Sequence, residues 1–293
     1  MNWCWSNLVE SWAGHNDPVT RACQSDQRFS YGIYVPKGFK ICNGERYGLT
    51  VLIHGSSRIA EKLKNAFVDF AERTQNVILA PMFPFGIIDP MDGHNYKFLK
   101  YKDIRYDEIL LSMIDELHND LNINTAEFLL HGFSGGGQFA HRFFYLHPER
   151  LRAVSIGAPG RVTYLDHNRP WYNGVADIEH IFGKRLNYDA MKKVKILLIV
   201  GAADLEVLDY TQDETFIHGE GDKGATRVER LRSLKRNYEE QGFNVEMIEV
   251  PGVGHENMLI IPYVQSFFIN VLGLTTTPYV TTEIGKGGVK IDS

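Results

Sequence analysis

The side chains best placed for chemistry lie in Glu127-Phe128-Leu129-Leu130-His131-Gly132-Phe133-Ser134-Gly135-Gly136-Gly137, where Gly-x-Ser-x-Gly follows a strand-forming run and precedes an amphipathic stretch. Strand, sharp turn and helix in that order hold a serine exposed above a sheet edge. Gly132 and Gly136 suit such a turn because a Cβ at either place would collide with the neighbouring strand or helix. A dinucleotide-binding turn is excluded by spacing. It needs Gly-x-Gly-x-x-Gly on the first strand of its fold, whereas here the second glycine position is Ser134 and other strands precede it.

A serine hydroxyl is a weak nucleophile until a base takes its proton, and the base must in turn be oriented by a carboxylate. Among 11 histidines, His255 is singled out by its place in Pro251-Gly252-Val253-Gly254-His255-Glu256, after a strand and before the last helix. His131, His141 and His147 read as packing or surface residues. Asp204 is the expected acid, because the buried strand Ile196 to Val200 runs out through Gly201-Ala202-Ala203 into it. Glu206 and Asp209 share that loop and are rivals, and Asp204 could instead cap a helix.

Charge on an attacked carbonyl oxygen needs fixed donors. One is the amide of Gly135, just after the serine. The other is expected from Val51-Leu52-Ile53-His54-Gly55-Ser56-Ser57, with Ser56 the first choice and Ser57 next. His54 is read as support for that turn. Arg58 is read as a solvated surface arginine, the alternative being a contact with an acidic substrate group.

These residues need a sheet whose strands end at one edge. Strand-like runs are predicted at Phe29 to Val35, Leu49 to Ile53, Val77 to Ala80, Glu127 to Leu130, Ala153 to Ile156, Lys195 to Val200 and Val245 to Val250. Helical periods alternate with them, in Tyr106 to Leu121, Gly136 to Leu146, Arg227 to Gln241 and Pro262 to Leu272, and in the stripe Leu63, Phe67, Phe70, Ala71. The alternation predicts an α/β class with a mainly parallel central sheet covered by helices. Two aromatic stretches without period, Met82 to Lys102 and Arg161 to Met191, are expected to be ordered lid loops. Phe83, Trp171 and Tyr172 are expected to line an apolar substrate pocket above Ser134. The expected organisation is an N-terminal extension over 1–28, a catalytic domain over 29–274 with a lid insertion at about 161–191, and a C-terminal tail over 275–293.

His54-Gly55, Gly132-Phe133-Ser134-Gly135-Gly136, Asp204 and His255, in that order, resemble the α/β-hydrolase superfamily over about Phe29 to Leu272. Within it, Tyr34-Val35-Pro36, Ser155-Ile156-Gly157-Ala158-Pro159-Gly160 and the Trp171 region resemble the branch of polyhydroxybutyrate depolymerases and feruloyl esterases, near dienelactone hydrolases. The resemblance implies an α/β-hydrolase fold and a serine hydrolase that needs no cofactor or metal. Secreted members of that branch usually carry export signals and often disulfides. Their lack here turns the expected substrate toward a small intracellular ester, thioester or lactone. The same site on the same fold could instead serve carbon–carbon bond hydrolysis, a lyase or a cyclase, or remain in a non-enzymatic small-molecule receptor.

Composition narrows the partners. With 31 basic and 36 acidic residues the net charge is −5, and no basic block tracks a phosphate backbone or a membrane surface, so a small-molecule substrate is expected and nucleic acid and membrane are not. The longest clean apolar run, Ile196 to Val200, is far short of the roughly 18 residues that span a bilayer. Met1-Asn2-Trp3-Cys4-Trp5-Ser6 lacks a signal-peptide pattern, which predicts a cytoplasmic protein. Cys4, Cys23 and Cys42 are read as reduced thiols. Trp3, Trp5 and Trp12 could pack on the body or on a second subunit, and the oligomeric state stays open.

Overall fold

The computed structural model describes residues 5–16, 19–207 and 224–275. The strands are β1 (Val19–Ala22), β2 (Ser30–Tyr34), β3 (Gly48–Ile53), β4 (Asn76–Met82), β5 (Lys100–Tyr101), β6 (Ile104–Arg105), β7 (Phe128–Phe133), β8 (Leu151–Gly157), β9 (Lys195–Gly201) and β10 (Val245–Val250). Eight of them form one sheet in the order β1-β2-β4-β3-β7-β8-β9-β10, and β5 and β6 make a separate two-stranded ribbon. From β4 to β10 every neighbouring pair is parallel, while β1 and β2 run antiparallel at one edge. β3, β4, β7, β8 and β9 are apolar almost without interruption and almost wholly buried, as strands covered on both faces must be.

The covering helices are α1 (Trp5–Trp12), α2 (Ala60–Asn65), α3 (Val68–Thr74), α4 (Tyr106–Leu121), α5 (Gly135–Leu146), α6 (Ile178–Phe182), α7 (Tyr188–Met191), α8 (Arg227–Glu240) and α9 (Asn257–Val271). α5 packs on β3, β7 and β8; α9 on β7, β8 and β9; α8 on β9 and β10; and α2, α3 and α4 on β4. On α4 the predicted stripe of Leu110, Met113, Ile114, Leu117 and Leu121 is completely buried.

Some boundaries differ from the sequence reading. The stripe from Leu63 to Ala71 is two short helices, because the chain turns at Ala66-Phe67. α9 begins at Asn257, ahead of the expected Pro262, which sits inside the helix. Within the expected N-terminal extension, Val19–Ala22 adds an edge strand to β2. The expected C-terminal tail falls, beyond Thr275, outside the described residues, as do Trp3 and Cys4. Cys23 is a buried and Cys42 an exposed free thiol. Among the described residues no helix is long and apolar enough to cross a membrane.

The strand order places the site. After β3 the chain moves outward to β4, then returns to lay β7 on the other side of β3, so the connections diverge between β3 and β7. A crevice opens at the carboxyl ends of strands where connections diverge in this way. Ile53 and Gly132 pair across these two strands, so the turns that follow them start side by side.

Candidate active site

Ser134 occupies the turn between β7 and α5 with φ 57° and ψ −114°, a conformation that a residue with a side chain seldom adopts. The turn is pinned on both sides. The Ser134 amide donates to the Gly157 carbonyl at 2.8 Å, and the Ser134 carbonyl accepts from the Gln138 amide at 3.0 Å. A Cβ on Gly132 would lie 2.1 Å from the Gly136 carbonyl oxygen, and one on Gly136 would lie 2.3 Å from that of Ile53. Only glycine lets strand, turn and helix approach so closely.

His255 reaches the site on the loop after β10. Its ring packs on that of Phe133, centroids 4.7 Å apart, and its Nδ1 is 2.6 Å from Asp204 Oδ2. The loops after β9 and β10 are hydrogen-bonded to each other: the Ala202 amide donates to Val250 and the Ala203 amide to Val253. Gly201 permits this, since a Cβ there would meet the Val253 and Gly254 carbonyl oxygens at 2.2 and 2.3 Å. Asp204 is 2% exposed, yet it stays ionised. Burial pushes its carboxyl up, and the hydrogen bond from His255 together with the Arg227 guanidinium outweighs that and holds it below the usual range.

Arg227 escaped the sequence reading. Its Nη1 donates to Asp204 Oδ1 at 2.8 Å and to Glu206 Oε2 at 2.9 Å. It opens α8 directly after Thr226, whose side chain forms a capping box with Glu229; Thr-x-x-Glu was the available signal that a helix start lies there. Of the two rivals to Asp204, Glu206 is exposed and faces Arg227, and Asp209 lies outside the described residues.

The turn after β3 comes alongside Ser134. A Cβ on Gly135 would lie 3.1 Å from Ser56 Oγ, so the Ser56 side chain stands against Gly135. His54 is fully buried with both ring nitrogens engaged, Nδ1 with the Gly55 carbonyl at 2.8 Å and Nε2 accepting from the Phe83 amide at 3.0 Å. Burial pushes its imidazole down to about 4, so it is neutral. Arg58 donates to the carbonyls of Ser56, Gly93 and Phe83 and lies over the Phe85 and Tyr96 rings. It therefore ties this turn to the segment after β4 rather than standing solvated.

A cavity of about 620 Å³ contains Ser134 and His255, and Ser56, Ile59, Met258 and Leu259 form part of its wall. None of the expected Phe83, Trp171 and Tyr172 lines this cavity. Phe83 is fully buried and packs against Tyr96, Phe139, Tyr106 and Phe29, because a ring gains more from an aromatic stack than from an open cleft. Trp171 packs on Phe182, Tyr172 packs on Phe98, and the Arg142 guanidinium lies over both rings. The segment they belong to is fastened to α5 through Thr163, which bonds His141, Arg142 and Tyr145.

Among the described residues, Asp107, Glu108 and His147 bring three groups of metal-binding type together. Arg105 already donates to both Asp107 oxygens, and His147 Nε2 lies 2.8 Å from Oδ2, so Asp107 is held by Arg105 and ties the start of α4 to the end of α5.

No protein-family model matches the chain, and no curated protein sequence matches it. Solved structures do. The chain is similar to poly(aspartic acid) hydrolase-1 from Sphingomonas sp. KT-1, with a TM-score of 0.64 and 18% identity over 81% of this chain and 92% of that one. It is equally similar to a poly(3-hydroxybutyrate) depolymerase from Bordetella parapertussis, TM-score 0.64 and 20% identity over 83% and 85%. An S-formylglutathione hydrolase from Agrobacterium tumefaciens gives a TM-score of 0.55 and 14% identity over 84% and 89%. Strand order, the diverging connections beside β3 and the serine turn after β7 agree with these superpositions in one conclusion: the chain has the α/β-hydrolase fold.

Proposed function

We propose that the protein is a serine hydrolase of a small carboxylic ester, thioester or lactone. The observation that carries this reading is the convergence of Ser134, in its strained turn, with His255 on one cavity, while His255 is hydrogen-bonded at 2.6 Å to a buried Asp204. In this reading Ser134 Oγ attacks the carbonyl carbon and its proton passes to His255 Nε2. Asp204 keeps the other imidazole proton on Nδ1 and stabilises the imidazolium without taking the proton. The amides of Gly135 and Ser56 receive the developing oxyanion. His255 then returns the proton to the leaving group, and water releases the acyl group by the same steps in reverse. Ile59, Met258 and Leu259 favour an apolar group beside the reacting carbonyl. The hydrolase and depolymerase named above share the fold, and their names support hydrolysis as the reaction class.

A fluorophosphonate probe should label Ser134, and short-chain p-nitrophenyl esters should be turned over. Ser134→Ala should abolish labelling and lower turnover by about 10⁴-fold or more with the melting temperature nearly unchanged. A folded Ser134→Ala protein with wild-type turnover would sink the mechanism. Conversion of the native substrate with no ester turnover and no acyl adduct on the Ser134 peptide would instead move the assignment to lyase or cyclase chemistry.

A further inference from the structure

Lys97 is a buried cation against the serine turn that the proposed triad does not use. It lies in a short turn of 3-10 helix, Asn95–Phe98, and is 4% exposed. A Cβ on Gly135 would lie 2.9 Å from Lys97 Cε as well as 3.1 Å from Ser56 Oγ. The lysine stem thus abuts Gly135, where the Ser56 side chain also lies. Its Nζ sits 3.0 Å from His94 Nδ1.

The surroundings are costly for a positive charge. Arg58 from the turn after β3, Arg142 from α5 and Arg161 from the loop after β8 all repel it, and Asp92 on its own loop opposes them. His54 and Tyr96, the remaining titratable neighbours, are held neutral by burial. An apolar side chain of the same length would fill this space without the desolvation cost. A costly buried charge beside a reacting centre points to function, because negative charge appears there during the reaction.

We infer that Lys97 is a positioning residue for the oxyanion: its ammonium, on a buried stem that abuts Gly135, stabilises the charge that the Gly135 and Ser56 amides receive, without touching substrate. The inference rests on Ser134 being the nucleophile. Burial, then the arginines, push the Lys97 amine down to about 8, so it is protonated near neutrality and loses its charge just above. The contribution to turnover is therefore present below about pH 8 and fades above it.

The test is Lys97→Met, matched in length and uncharged, assayed on p-nitrophenyl butyrate from about pH 6 to about pH 10 beside wild type and Ser134→Ala. Expected are a kcat lowered about 10- to 100-fold, a KM changed less than about twofold, and loss of the fall in kcat/KM that wild type shows near pH 8. An alkyl boronic acid, which forms an anionic tetrahedral adduct on the serine, should lose affinity in step with kcat/KM. The melting temperature should stay level or rise, which a merely structural lysine would not allow. If Lys97→Met fails to fold, Lys97→Arg replaces it: it should keep kcat within about threefold while losing the alkaline fall, since a guanidinium does not titrate there. Wild-type kcat and pH profile in folded Lys97→Met, or a folded Lys97→Arg as slow as the proposed loss of charge, overturns the inference. Full activity in Ser134→Ala overturns the functional reading itself; an inactive Ser134→Ala beside an unaffected Lys97→Met overturns only the role of Lys97.

Discussion

Asp204 is gripped from two directions, by His255 Nδ1 at 2.6 Å and Arg227 Nη1 at 2.8 Å, and the second grip sits where a helix would not ordinarily want a cation. The positive end of the helix dipole disfavours arginine at the first position of α8, a cost of several tenths of a kcal/mol. Pairing with a buried carboxylate offsets it. Arg227→Met should therefore lower stability by about 2–4 kcal/mol, since it leaves Asp204 with one partner, and reduce turnover by about tenfold as the carboxylate loses its fixed orientation. Asp204→Asn should cost about 10⁴-fold in kcat with the fold retained, because the amide can favour the wrong imidazole tautomer. Urea unfolding and steady-state kinetics on the two variants separate these effects. Wild-type kcat in Asp204→Asn would return the role to Glu206 or Asp209. That Ser134, His255 and Asp204 would be carried to one sheet edge was legible because each stands just past a readable strand. Arg227 was not, since an arginine opening a helix reads as surface. Phe83, Trp171 and Tyr172 show the limit of composition: aromatic content says that a segment will be buried, but not against what.

At the scale of elements, the serine turn is a problem of backbone clearance. Gly132 and Gly136 face carbonyl oxygens at 2.1 and 2.3 Å from an added Cβ, and those atoms belong to β3 and α5, which cannot move singly. Gly135 differs. Its added Cβ would meet Tyr96 Oη at 2.5 Å, Lys97 Cε at 2.9 Å and Ser56 Oγ at 3.1 Å, side-chain atoms rather than backbone, although Tyr96 is fully buried and donates to the His54 carbonyl. Gly132→Ala is thus expected to destabilise by about 3 kcal/mol or more, or to prevent folding. Gly135→Ala should cost less than Gly132→Ala, about 1–3 kcal/mol as the Tyr96 and Lys97 side chains shift, yet lose turnover because it disturbs the Ser56 side of the proposed oxyanion site. Thermal melts and kcat on both variants check the contrast, and a Gly132→Ala protein as stable as wild type would contradict this account of the turn. Seven of the eight strands of the main sheet were readable, β10 at its other edge among them. β1 was not: Val-Thr-Arg-Ala is short, sits at a sheet edge and has no apolar run to announce it. The start of α9 was displaced because Pro262 looks like a helix beginning when it stands inside one.

At the scale of the whole molecule, three buried histidines predict a loss of stability in acid. His54 and His131 are fully buried and each is pushed by burial down to about 4, and His141, also fully buried, lies well below its ordinary value. Each joins parts of the sheet layer: His54 bonds the turn after β3 to the Phe83 amide, His131 reaches Ser155 on β8, and His141 accepts from the Thr163 amide. In the unfolded chain these rings take up a proton near pH 6.5. Between that pH and about 4 the unfolded state therefore binds protons that the native state does not, and stability falls as pH falls through this window. His54 and His131 should each contribute about 3 kcal/mol to the loss, whose onset lies above the range where carboxylates titrate. Urea unfolding at about pH 7.5, 6 and 5 should show the midpoint dropping steadily with little change in slope. His131→Asn, which can keep one polar contact but cannot take up the proton, should start from a lower stability at neutral pH and lose less of it on acidification. A wild-type midpoint that stays level down to pH 5 would show that these rings titrate alike in the folded and unfolded chains, and the acid response would then have to come from the carboxylates.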